Sequence, residues 1–285
     1  MAVIDFRVRP PYGHFKKEFF YDPDTLLRFA KQTNMPTTKS AQEASMELFM
    51  EDMDKAGIEI GVVWPRTSFG IFGSKGQNTD VNDEMVEFLE KYPDRFRAAA
   101  AVDIFDIGRT EEIIDKYVVE GPLSAIIMEP GMAAEWRFDD SRLYPIYEYC
   151  QRKDVPVFHT TGMSWTHLSD SVPFAVDNVA VDFPDLKIVI SHAVWPWITQ
   201  ALWTVMTKAN VYLLPDMYMF HHPGWQDYAT GITNPLINEH MLYGSAYPFG
   251  GLVEAVEYTN ANIHFDDPSL KENYMYNNAK KILKL

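Results

Sequence analysis

Residues 186–216 read LKIVISHAVWPWITQALWTVMTKANVYLLPD, and this stretch decides the fold. Leu186–His192 is a short β-branched run with apolar residues on successive positions, the pattern of a strand covered on both faces. Trp197–Lys208 spaces its apolar residues as a helix does. Val211–Asp216 then returns to the strand pattern. A strand, a helix and a second strand in close succession form a crossover, which parallel neighbours require and antiparallel ones do not.

The same rhythm runs outward in both directions. Towards the N-terminus, Pro173–Asp182 and Asp139–Lys153 read as helices, with Val155–Thr161 and Ser124–Met128 as strands. Ile107–Val119 is helical, Arg97–Asp103 a strand, Asp80–Lys91 a helix and Ile58–Trp64 a strand. Ser40–Ala56 is predicted as one helix capped by Ser40 and stopped at Gly57. A long connection, His14 to Thr38, separates it from the first strand, Val3–Arg9. Towards the C-terminus, Met241–Tyr247 reads as the eighth strand and Lys271–Leu285 as a closing helix.

Eight strands alternating with helices predict an α/β protein closed into a single (β/α)8 TIM barrel spanning residues 1–285. The alternative, a doubly wound open sheet, lacks a Gly-rich phosphate turn after the first strand. The loop Thr67–Thr79, with Gly70, Gly73 and Gly76, is a lid candidate or an ordinary connection.

The composition is globular, with 47% hydrophobic and 23% charged residues. A formal charge of −15 disfavours nucleic acid or an anionic membrane as partner. Cys150 is the only cysteine, which excludes an intrachain disulfide and a Cys-rich zinc site. The opening Met-Ala-Val-Ile-Asp-Phe reads as a strand and not as a signal peptide, so the expected compartment is the cytoplasm. Symmetry statistics alone suggest a homodimer.

Barrel chemistry is carried at the C-terminal ends of strands, where the βα loops begin. This chain places Arg7, Arg9, Arg66, Asp103, Glu129, His159, His192, Asp216 and Tyr247 at such ends. Asp5, Arg7 and Arg9 alternate and so share one face of the first strand. A buried guanidinium needs a carboxylate, either from the protein, such as Glu129 or Asp216, or from a ligand. His159 and His192 close adjacent strands and suit general-base or ligand roles. Trp195 and Tyr218 are candidate pocket walls. His221 and His222 fit a packing role better than a substrate contact, and His14, His167, His240 and His264 read as loop or surface residues.

At these residues the chain resembles the amidohydrolase-related family. Ile4-Asp5-Phe6-Arg7-Val8-Arg9-Pro10 is similar to the family's first-strand motif I-D-x-H-x-H-P. Val157-Phe-His159 and Ile190-Ser-His192 resemble its strand 5 and strand 6 histidines. Leu242-Tyr-Gly-Ser-Ala-Tyr-Pro248 is similar to its G-S-D-Y-P, and Asn278-Ala279 to its closing N-A. The resemblance implies a metal-dependent hydrolase or decarboxylase. Arg7, Arg9 and Ala246, however, stand where members carry two histidines and an aspartate. Arginine cannot ligate a cation and alanine has no ligand atom.

Two reconstructions follow. In one, no metal is bound, Arg7 supplies positive charge to a small carboxylated substrate, and His192 or His159 is the base, with Glu129 or Asp216 orienting it. In the other, a displaced zinc or manganese ion sits among Glu129, His159, His192 and Asp216. Either version is expected to hydrolyse a carboxylated ring compound or lactone, or alternatively to decarboxylate a carboxylated aromatic. A barrel that binds a ligand without turnover is the reading from another class.

Overall fold

The computed structural model describes residues 1–66, 80–161 and 167–285. The lid candidate Thr67–Thr79 lies outside them. The chain groups into two compact units. One comprises residues 1–63, 94–96 and 215–285, and the other residues 64–93 and 97–214.

In the first unit, β1 (Val3–Val8) and β2 (Ile58–Val63) pair in parallel. β1 is buried along its whole length, polar residues included. Between the two strands the expected plain connection contains a helix, Pro23–Thr33. Asp22 caps it by accepting from the Thr25 N–H at 2.9 Å, Pro23 starts it, and Asn34 ends it in the left-handed region at φ 51°.

The single helix expected over Ser40–Ala56 is two. Lys39–Gln42 is capped by Thr38, and Met46–Ala56 restarts at Ser45, whose hydroxyl accepts from Leu48 N–H. Ala44, at φ 45°, makes the break. Gly57, at φ 70°, stops the second helix as expected.

The eighth strand expected at Met241–Tyr247 is not a regular strand. The segment touches β1 through Phe6 N–H on the Tyr243 carbonyl (2.9 Å), Arg9 N–H on the Tyr247 carbonyl (3.1 Å) and a parallel bridge at Val8 and Tyr247. Between those points its donors turn to side chains: Ser245 N–H goes to Asp5 Oδ1 at 3.0 Å, and Tyr247 N–H to Ser245 Oγ at 3.0 Å. Ala246 sits at φ 58°. The backbone therefore leaves the ladder to serve Asp5. The closing helix is continuous but starts earlier than expected, running through Pro268–Glu272, a π turn at Asn273–Asn277, and Asn278–Leu283.

The second unit holds most of β3 (Phe96–Ala101) and all of β4 (Ala125–Met128), β5 (Val157–Thr160), β6 (Ile188–Ser191) and β7 (Val211–Leu214). Each is parallel to the next, and β4 to β7 are buried at every position. Two predicted helices, Asp80–Lys91 and Pro173–Asp182, keep their bounds. Among the described residues no helix is long and apolar enough to cross a membrane.

Candidate active site

The first unit gathers its chemistry at the end of β1. Arg7 Nη1 donates to Asp216 Oδ2 at 2.7 Å, with Arg7 2% and Asp216 0% exposed. Asp216 follows β7 and holds φ 43°, so its own backbone is turned out of the strand to meet the guanidinium. Of the two origins considered for Arg7's carboxylate, a protein side chain is thus realised.

Asp5, on the same face, is fully buried. Its Oδ1 accepts from the N–H groups of Arg7 (3.1 Å) and Ser245 (3.0 Å), while Oδ2 has no hydrogen-bond partner among the described residues. Burial pushes its carboxyl up to about 7, against the lowering effect of the hydrogen bonds from Ser245 and Arg7; the negative charge of Asp216 adds to the rise.

Arg9 is buried with its guanidinium 4.5 Å from the centre of the Phe20 ring. Its carbonyl accepts from Tyr21 Oη at 2.5 Å. Phe19 and Phe20 lean on Phe249, and Phe29 stacks on that ring at 3.7 Å between centroids. Tyr247 is buried too, and its hydroxyl lies 3.1 Å from Ser40 Oγ, which donates to Asp52. That hydroxyl is engaged in the protein's own network. His14, expected at the surface, is buried against Phe15.

The adjacent histidines after β7, treated alike in the sequence, separate in space. His221 is exposed, its ring edge-on to Tyr258. His222 is buried: its Nδ1–H donates to the Phe220 carbonyl at 3.1 Å, and its ring lies 4.7 Å from that of Tyr218. With Nδ1 as the donor, Nε2 accepts from the Gln32 amide nitrogen 3.2 Å away. Burial lowers its pKa. His222 therefore lies against Tyr218 and packs as the sequence suggested, while Gln32, which bonds it, was missed; the sequence has no signal to tell one of two consecutive histidines from the other.

In the second unit, His159 is the next-to-last residue of β5. Its Nδ1–H donates to the Met128 carbonyl at 3.2 Å, because a carbonyl can only accept, and this fixes a lone pair on Nε2. Nε2 is buried and has no hydrogen-bond partner among the described residues. Burial pulls the imidazole down to about 4, although the Met128 bond and the Glu129 charge oppose the shift. Glu129 is buried directly after β4.

His192 is buried and left-handed at φ 61°, as are Ala193 and Val194 after it. The Thr161 hydroxyl secures this bend by donating to the Ser191 carbonyl (2.9 Å) and accepting from Val194 N–H (3.1 Å). Trp195 is half-buried, Trp197 is more exposed, and Arg66 is partly exposed. Asp103 binds the backbone of its own turn at Phe105.

No three His, Cys, Asp or Glu residues among those described form a group able to hold a metal ion. In the second unit Glu129, His159 and His192 do not form such a group. In the first, Asp216 is occupied by Arg7. The residues present do not fit the metal that the resemblance implies.

Comparison with known proteins gives the fold and the family. An uncharacterised TIM-barrel protein from Bordetella bronchiseptica is 31% identical, with a TM-score of 0.90, over 100% of this chain and 99% of the other. The fold is therefore the α/β TIM barrel. The amidohydrolase family profile matches residues 28–285, and the chain belongs to that family.

Two further similar structures share the fold at low identity. A dihydroxybenzoic acid decarboxylase from Polaromonas, solved with manganese and 2-nitroresorcinol, has a TM-score of 0.71 at 15% identity, covering 100% and 97% of the two chains. The 4-oxalomesaconate hydratase of Rhodopseudomonas palustris has 0.68 at 19%, covering 99% and 96%. No curated protein matches the chain at a significant level.

Proposed function

We propose that this protein is an enzyme acting on a small carboxylate-bearing ring compound or lactone, and that it works by hydrolysis. The observation that carries the substrate class is the charge at the end of β1. Arg7 and Arg9 contribute two positive charges and Asp216 one negative charge, while Asp5 is held towards its protonated form up to about pH 7. The first unit's strand end thus brings two guanidinium groups together in a chain of formal charge −15. A carboxylate suits such a place, since guanidinium groups bind it through paired hydrogen bonds.

His159 supports hydrolysis. With Nδ1–H given to the Met128 carbonyl, Nε2 presents a lone pair that can accept a proton from water. Tyr218, Arg66 and Trp195 are proposed as substrate-side residues, and Glu129 and His192 as partners in proton handling; Tyr247, engaged with Ser40, is not. Decarboxylation is the second reading. It is favoured by the similarity to a dihydroxybenzoic acid decarboxylase.

A panel of aromatic carboxylates and carboxylated lactones separates the two readings when products are followed by mass spectrometry in 18O-labelled water. Incorporation of the label into an opened ring supports hydrolysis. Release of carbon dioxide would support decarboxylation and sink the first reading. With neither product, and unchanged ligand binding in His192→Asn, the protein would be a binding barrel.

A further inference from the structure

A decarboxylase of this fold was solved with bound manganese, yet this chain presents the wrong atoms for a cation. The carboxylate best suited to a cation in the first unit, Asp216, accepts from Arg7 Nη1 at 2.7 Å. Both groups are buried, so an incoming ion would have to displace a tethered cation and leave it buried without its counter-charge. Ala246, 1% exposed and at φ 58°, offers no ligand atom. Guanidinium N–H groups donate and never ligate, and they repel a second cation across a low-dielectric interior.

We propose that the Arg7–Asp216 ion pair excludes a divalent ion from this strand end, so that this chain folds and holds an anionic ligand without one. The anionic ligand rests on the substrate class proposed above; the independence from metal does not. The charge of Arg7 is built into the chain and is not lost to chelators. A metal-loaded site would need deprotonated, cation-facing ligands and would change its affinity with their protonation. The ion pair needs neither.

The test uses the full chain purified without added metal and dialysed against EDTA. Metal content is measured by mass spectrometry and thermal unfolding is recorded with EDTA, manganese or zinc. Binding of 2,6-dihydroxybenzoate is followed by tryptophan fluorescence. Metal content should fall far below one ion per chain, with the unfolding temperature and ligand affinity the same in all three conditions. A near-stoichiometric ion whose removal lowers the unfolding temperature or abolishes binding would overturn the proposal.

Arg7→Met alone strands Asp216, so the informative variant is the neutral pair Arg7→Met/Asp216→Leu. It should unfold cooperatively and bind the carboxylate about tenfold more weakly or worse. Wild-type affinity in that variant would refute the contribution of the ion pair to ligand binding even if metal independence held. Failure of the wild type to bind any carboxylate of the panel, with or without metal, would refute the proposed substrate class and the ligand half of this proposal, while the metal content and unfolding temperatures would still decide the other half.

Discussion

The imidazole of His159 lies flat on the ring of Phe138, with centroids 4.3 Å apart and the planes within 14°. The stack and the Nδ1–H bond to Met128 hold the ring in a single orientation, and burial keeps it neutral. A neutral imidazole with a fixed tautomer is a prepared proton acceptor. It also leaves a mark on stability.

With a folded pKa near 4 and an unfolded one near 6.5, His159 binds a proton more readily in the unfolded chain. Stability is therefore expected to fall as pH drops from about 6.5 towards 4, by at most about 1.4 kcal/mol per pH unit, and to level off below. Urea denaturation of wild type and His159→Asn at several pH values checks this. An equal slope in both proteins would contradict it.

Asp5 acts in the opposite direction. Its folded pKa of about 7 lies above the ordinary 3.8, so the folded chain retains a proton that the unfolded chain has lost. Its contribution is present below about pH 4 and is lost as pH rises to about 7, again by at most about 1.4 kcal/mol per unit. Asp5→Asn keeps an oxygen for the Arg7 and Ser245 N–H groups but cannot ionise. The variant should gain on the wild type from pH 5 to about pH 7 and level off above it, and a constant difference would count against a buried protonated Asp5.

Arg7→Met should destabilise the protein by about 3–5 kcal/mol, because Asp216 is left charged and buried. Adding Asp216→Leu should recover most of that loss. A double-mutant cycle by chemical denaturation measures the coupling, and additive losses would mean that the ion pair does not hold the two side chains together.

Gly250 has no room for a side chain. A Cβ there would stand 2.3 Å from the Ser245 carbonyl oxygen, a backbone atom of the residue that serves Asp5. Gly250→Ala is expected to cost at least about 1–3 kcal/mol and to disturb the Asp5 titration as well. Calorimetry at pH 6 and pH 8 would show both effects.

The layers legible in the sequence were those set by local pattern. Asp80–Lys91 and Pro173–Asp182 kept their predicted bounds, because their ends are marked by flanking residues and their apolar spacing is unbroken. Helix Pro23–Thr33 was legible in principle, as Asp22, Pro23 and Asn34 are start and stop signals, but the aromatic-rich surroundings hid its period.

What depended on distant partners could not be read. Arg7 meets a carboxylate 209 positions away, and no spacing rule names Asp216 over Glu129. Ser245 abandons the strand pattern because Asp5, at the other end of the chain, claims its N–H. His222 is distinguished from His221 only by which way the turn after β7 faces.

The solitary thiol of Cys150 is wholly buried in the helix Tyr144–Lys153, and burial pushes its pKa far above the ordinary value. Alkylating reagents will therefore pass the native protein by. A single cysteine introduced on an exposed helix becomes a unique attachment point for a spin label or dye. One such label on each of the two units would turn the protein into its own ruler during ligand titration, with no native cysteine to remove first.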